Sequence, residues 1–136
     1  MTKPLLTGNI DDFLDRFNRF HDAVIREIHI VFGYRSQHRD AGVIILSVQD
    51  QQCPQNKGWV NVNLQFVNVR EFSMTYSAEE YHYVISDEIH IQHLNGLFFV
   101  DLGASIDQPN TIDQFKKSRF YLACESIQWN VVAYTE

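Results

Sequence analysis

The sequence predicts an α+β domain that is predominantly antiparallel β: one short N-terminal helix packed on a curved sheet, sandwich or half-open barrel. Three observations predict it. A single phenylalanine stripe stands at helical spacing near the N-terminus, most of the remaining chain alternates apolar and polar side chains, and Asn95-Gly96 lies between two alternating runs.

The helix is expected over Asn9 to Phe20, where Phe13, Phe17 and Phe20 follow at steps of four and three behind an Asn9 cap. The cluster Val24, Ile25, Ile28, Ile30 and Val31 is β-branched, so the change to strand is placed near His21-Asp22. Ile28, Ile30 and Phe32 then alternate with His29 and Val31. Across a polar turn from Ser36 to Gly42, Ile44, Leu46 and Val48 resume the pattern, giving a hairpin with a long loop. A second polar loop runs from Gln51 to Gly58.

Val60, Val62, Leu64 and Phe66 alternate with Asn61, Asn63 and Gln65, which places one face in the core and the other in water. Beyond Phe66 the apolar set changes phase to Val67 and Val69, a slip that a β-bulge absorbs. Ser77 to Glu80 reads as a turn or a single helical turn before Tyr81, Tyr83 and Ile85.

Asn-Gly tolerates the positive φ that a type I′ turn needs at both central residues. Pairing Leu94 with Leu97 then sets Ile91 opposite Val100, Ile89 opposite Leu102 and His93 opposite Phe98 on one side, with His90 opposite Asp101 and Gln92 opposite Phe99 on the other. A similar argument at the C-terminus makes Glu125-Ser126 a turn, pairing Cys124 with Ile127, Leu122 with Trp129 and Phe120 with Val131. Between the two hairpins, Thr111 is expected to cap a short helical stretch reaching Lys117.

At 136 residues and 45% hydrophobic content, the chain suits one domain with a core of its own. About seven to nine strands are expected. Core candidates are Phe13, Phe17, Ile28, Ile30, Leu46, Val62, Leu64, Ile89, Ile91, Val100, Leu102, Phe120, Leu122, Trp129 and Val131.

The formal charge is −6 and the densest basic step is Lys116-Lys117 with Arg119, which argues against nucleic acid as a partner. A basic protein partner suits this charge, and so does a solvated acidic surface. Two cysteines form no disulfide framework and no CxxC spacing, and the N-terminal segment carries no long apolar run before Asp11-Asp12. No stretch approaches the roughly 20 apolar residues that span a bilayer. A cytoplasmic protein without membrane association is the expectation.

His90 opposite Asp101 is the best chemical constellation, because a carboxylate beside an imidazole orients the ring and can support general-base catalysis. Glu88 and Gln92 share that face, and Asn61, Asn63 and Gln65 could extend it into a polar binding floor. The plainer reading is a solvated sheet face with a favourable cross-strand pair. No third metal ligand stands at a recognisable spacing, so neither a metal nor another cofactor is expected. GxSxG, Gly-rich phosphate loops and HExxH are absent.

His21-Asp22 matches the dipeptide of metal-dependent phosphohydrolases, but that helical family needs further ligands. Asp22 is expected instead to accept backbone hydrogen bonds at the helix-to-strand change. Trp59, Tyr76, Tyr81, Tyr83 and Phe99 exceed the needs of a one-sided core, so part of the sheet is expected to be covered on both sides, by the N-terminal helix, a partner or a ligand.

The run Phe20-His21-Asp22-Ala23-Val24-Ile25-Arg26-Glu27-Ile28, with the closing Ser118-Arg119-Phe120-Tyr121-Leu122-Ala123-Cys124-Glu125-Ser126-Ile127, resembles a group of small uncharacterised bacterial β-rich proteins. Some relatives in that group resemble immunity proteins of polymorphic toxin systems. The resemblance spans most of the chain and implies a bacterial cytoplasmic binding protein. It transfers no catalytic residue.

Three function classes follow. The first is a non-catalytic protein-binding module, immunity-like in its resemblance, with exposed strand edges that also suit a homodimer. The second is a small-ligand binder in a concave aromatic sheet, using Tyr81, Tyr83 and Phe99. The third is an enzyme acting through His90 and Asp101.

Overall fold

The structure, a computed structural model, describes residues 2–33, 40–75, 77, 84–85, 87–103 and 107–135. Strands β1 (Lys3–Pro4), β2 (Val24–Val31), β3 (Ala41–Gln49), β4 (Trp59–Met74), β5 (His90–Leu94), β6 (Leu97–Asp101) and β7 (Phe120–Ala133) form one antiparallel sheet. Its order is β2-β3-β4-β7-β6-β5, with β1 also on β7. The sheet is open rather than closed into a barrel. Two short helices, α1 (Ile10–Arg16) and α2 (Ile112–Lys116), complete the architecture.

Helix α1 carries Asp11 and Asp12 in its first turn and Arg16 in its last, charges that suit the helix dipole. Phe13, Phe17 and Phe20 are all buried, as their spacing predicts. The α-helix nevertheless ends at Arg16, four residues before the expected limit, because Asn18, Arg19 and Phe20 take positive φ. Phe20 reaches the core from that left-handed turn. Phe13 and Phe17 pack on Trp129 at ring distances of 5.1 and 5.7 Å, which seats α1 on the inner face of β7.

That inner face collects Ile44, Leu46 and Val48 of β3, Val60 to Phe66 at alternate positions of β4, Val100 of β6 and Leu122 of β7. Among the core candidates Ile28, Ile30 and Val131 are only half-buried, since β2 is an edge strand and Val131 lies near the end of β7. Phe32, expected to continue the β2 alternation, is exposed.

The hairpin around Asn95-Gly96 pairs His90 with Asp101, Ile91 with Val100, Gln92 with Phe99, His93 with Phe98 and Leu94 with Leu97. Asn95 and Gly96 both have positive φ, the backbone that the dipeptide tolerates. Thr111 caps α2, accepting from the Gln114 amide while Gln114 Oε1 accepts from the Thr111 amide.

The expected C-terminal hairpin does not form. Residues Phe120–Ala133 are one strand, and each half pairs with β4: Leu122 with Phe72, Trp129 with Leu64. Glu125-Ser126 offers no tight turn, and β4 is long enough to pair with both halves. The phase break between Cys124 and Ile127 has a counterpart in β4 between Phe66 and Val69, so both strands change phase together. There Asn68 has φ 56° and donates to Glu125 Oε2 at 2.6 Å, with the register shift just beyond, between Val69 and Glu71. The bulge expected past Phe66 is thus present and shared with the neighbouring strand.

Part of the sheet is covered on both sides. The second layer is α2 rather than the expected N-terminal helix, which packs on the inner face: Phe115 of α2 packs with Phe99 and Ala123 on the outer face.

Candidate functional site

His90 Nδ1 and Asp101 Oδ2 are 3.0 Å apart, and both residues are 1% exposed. The pair is therefore interior, which overturns the solvated-face reading. The carboxylate also accepts from the Ser118 hydroxyl at 2.5 Å and the Gly103 amide at 2.9 Å. Burial alone would raise the Asp101 pKa, but the hydrogen bonds from His90, Ser118 and Gly103 outweigh it and hold the group below its ordinary value. An ionised carboxylate only accepts, so Nδ1 carries a proton.

The other imidazole nitrogen, Nε2, has no aligned hydrogen bond among the described residues and stands 3.3 Å from Glu88 Oε1. Glu88 in turn meets Arg19 Nε at 3.4 Å, and Arg19 pairs with Asp15 at 2.6 Å. The left-handed turn that ends α1 thus delivers Arg19 to the His90 cluster. A polar chain runs from the surface through Arg19, Glu88 and His90 to Asp101 and Ser118.

Gln92, on the same strand, donates to the Pro109 carbonyl and Asn110, tying β5 to the segment before α2. It also lines a broad cleft of about 750 Å³ with Asp11, Asp12, His93 and Gln108. Phe99 is sealed beneath α2. Tyr81 and Tyr83 lie outside the described residues. Among the described residues no group of three metal-ligating side chains converges. His21 and Asp22 contact each other at the surface, and the Asp22 amide donates to the Ile85 carbonyl, so at the helix-to-strand change its backbone acts as a donor, in place of the acceptor role expected of its carboxylate.

Cys124 is buried and its thiol is pushed up to about 12 by burial and the nearby Glu125 charge, which makes it inert. Cys53 is half-buried, its Sγ directed at the Gln55 carbonyl.

The polar floor imagined around His90 is divided. His90 and Asp101 join the sheet beside Tyr121, whereas Asn61, Asn63 and Gln65 pair with Val132, Asn130 and Gln128 near the far end of β7. At roughly 3.3 Å per residue the two groups are about 30 Å apart along the strand.

Around the second group the outer face has a distinct chemistry. Val43, Ile45 and Ser47 of β3 lie beside Asn61, Asn63, Gln65 and Val67 of β4, and these beside Ser126, Gln128, Asn130 and Val132 of β7. None is charged, in a chain where 21% of residues are. Asn63 and Asn130 are cross-strand partners, and each buries a side-chain oxygen without a hydrogen bond among the described residues. Charge returns at the rim, where Glu27 and His29 of β2 contact each other. Val43, Ile45, Val67 and Val132 belong to neither hydrophobic cluster.

At one end of this face a cleft of about 330 Å³ is lined by Val24, Arg26, Ser47, Asn56, Lys57, Trp59 and Tyr134. Its Ser47 starts a hydrogen-bond chain that runs from the interior to the surface: Ser47 donates to the buried Asn61 at 2.6 Å, and Asn61 donates to the exposed Thr135 at 3.2 Å. Asn61 is thus buried, not wet as its alternation suggested. Sequence reasoning singled out Trp59 only as a surplus aromatic. It missed Arg26, Lys57 and Tyr134, which come from three separate elements and share no local motif.

No known protein family, no curated protein and no solved structure matches this chain.

Proposed function

We propose that this chain is a non-catalytic protein-binding module whose recognition surface is the uncharged outer face of β3, β4 and β7. The observation that carries the reading is the lack of charge across three adjacent strands, bordered by a charged rim. Protein interfaces show the same depletion of charge at their centres and polarity at their edges. The Asn63 and Asn130 side-chain oxygens, buried without a hydrogen bond among the described residues, strengthen it, since a buried acceptor without a donor costs about 1–3 kcal/mol and an incoming N–H removes that cost.

The occupant is a second protein presenting apolar groups with amide or backbone donors. The face selects for neither sign of charge, so the net charge of −6 gives no guide to the partner's charge at this surface. An enzyme working through His90 and Asp101 is the weaker reading: a general base must reach the proton it removes, and this pair is sealed.

The test is affinity capture with wild-type, Ile45→Lys and Asn63→Lys baits, followed by reconstitution of any retained protein. A partner held by the wild type and lost with both variants, at unchanged melting temperature, supports the reading. If no retained protein discriminates the baits, or light scattering shows the face occupied by a second copy of this chain, the reading fails.

A further inference from the structure

We propose that the cleft between Arg26, Lys57, Trp59 and Tyr134 binds a small aromatic anion, a planar ring bearing a carboxylate or phosphate. This cleft opens at one end of the uncharged face and shares Ser47 with it, while its two cations and two aromatic rings lie outside the uncharged rows.

The first argument is charge. Arg16, Arg19, Arg70 and Lys116 each pair with a carboxylate. Among the described residues Arg26 and Lys57 have no ion-pair partner, and they are the only charged side chains that line the cleft. Two unpaired cations converging in a chain of net charge −6 favour an oxyanion. A guanidinium presents the planar fork that carboxylates and phosphates bind.

The second argument is shape. Trp59 and Tyr134 stand 6.3 Å apart between ring centres at a 50° interplanar angle, so the cleft that holds the two cations is also lined by two aromatic rings. A volume of about 330 Å³ falls at the small end of ligand sites. Ser47, the buried residue of the lining, is already held by its hydrogen bond to Asn61, so little freedom is lost there on binding.

The third argument is the backbone that presents Lys57. Asn56, Lys57 and Gly58 have φ values of 50°, 56° and 87°, a left-handed run that side chains other than glycine disfavour. It is held by the Gly58 amide on the Gln55 carbonyl and by the Asp50 amide on the Gly58 carbonyl. Asp50 is itself clamped by two hydrogen bonds from Arg16. Strained backbone kept in place by such over-determination is characteristic of ligand clamps.

The experiment follows the Trp59 indole resonance in a ¹H–¹⁵N spectrum, assigned with Trp59→Phe, while phenyl phosphate, benzoate, inorganic phosphate, acetate and phenol are titrated separately. Either ring-bearing anion should shift Trp59 saturably and leave Trp129 unmoved. Inorganic phosphate, acetate and phenol should each bind at least about fivefold more weakly. The Arg26→Gln/Lys57→Gln double variant should raise the Kd about tenfold, as expected for loss of charge-assisted contacts, with the Trp129 resonance showing an intact core. The proposal is overturned if neither ring-bearing anion gives a saturable shift at millimolar concentration, if the ringless anions or phenol bind equally well, or if the double variant binds unchanged.

Discussion

Across the β5–β6 hairpin the imidazole Nδ1 of His90 stands 3.0 Å from a carboxylate oxygen of Asp101, with both residues withdrawn from solvent. Three donors converge on that carboxylate, and removing it strands the His90 imidazole and the Gly103 amide, while the Ser118 hydroxyl can still donate to the Phe120 carbonyl. Asp101→Ala is expected to lower stability by about 3 kcal/mol, the scale for breaking a buried charged pair from one side. The double variant His90→Leu/Asp101→Val should recover part of that loss, because two matched apolar groups leave no imidazole unpaired. Urea unfolding of the three proteins measures it; a double variant no more stable than Asp101→Ala would refute the account.

Acid should weaken the fold through Asp50 and Asp101. Burial pushes the Asp50 pKa up, but the hydrogen bonds from Arg16 and the Gln52 amide prevail, and both aspartates sit below the ordinary 3.8 when folded. A depressed folded pKa contributes stability that is fully present above the unfolded value and lost as pH falls through the folded one. Stability should therefore hold above about pH 4 and decline below it. Asp50→Asn should reduce the steepness of that acid limb, as measured by denaturant midpoints at a series of pH values. An unchanged slope would show that Asp50 does not contribute.

Two glycines are expected to respond to alanine for different reasons. Gly96 has φ 79° with open space where a Cβ would stand, so Gly96→Ala costs backbone strain alone, about 1 kcal/mol. At Gly103 a Cβ would lie 2.3 Å from Ser118 Oγ, displacing the hydroxyl that donates to Asp101. Gly103→Ala should cost more, and Ser118→Ala should reduce that cost while leaving the Gly96→Ala effect unaltered. A double-mutant cycle by thermal unfolding decides it; equal costs in both backgrounds would exclude the clash.

Where a strand partner was local, the sequence was enough to name it. Asn95-Gly96 sets its own register, and five cross-strand pairs follow from it, including His90 with Asp101. The phenylalanine stripe identified the buried face of α1, and the Thr111 cap located α2. Long-range pairing was less legible. The phase break at Cys124 and Ile127 fits a turn when one strand is read alone; only the matching break at Phe66 and Val69 of β4 reveals a single continuous strand.

Alternation and turn chemistry act within about ten residues, so the sequence by itself determined an antiparallel sheet, the inner face of its strands and the pairing across one hairpin. Burial of the outer face depends on what folds over it, and no periodicity encodes that. Tertiary structure alone decided that α2 seals Phe99, that His90 and Asp101 lie inside, and that Asn63 and Asn130 meet on an uncharged surface. The cleft shows it most directly. Arg26, Lys57, Trp59 and Tyr134 converge because β2, β4 and the end of β7 meet across β3, a proximity between residues up to 108 positions apart that only the folded sheet creates.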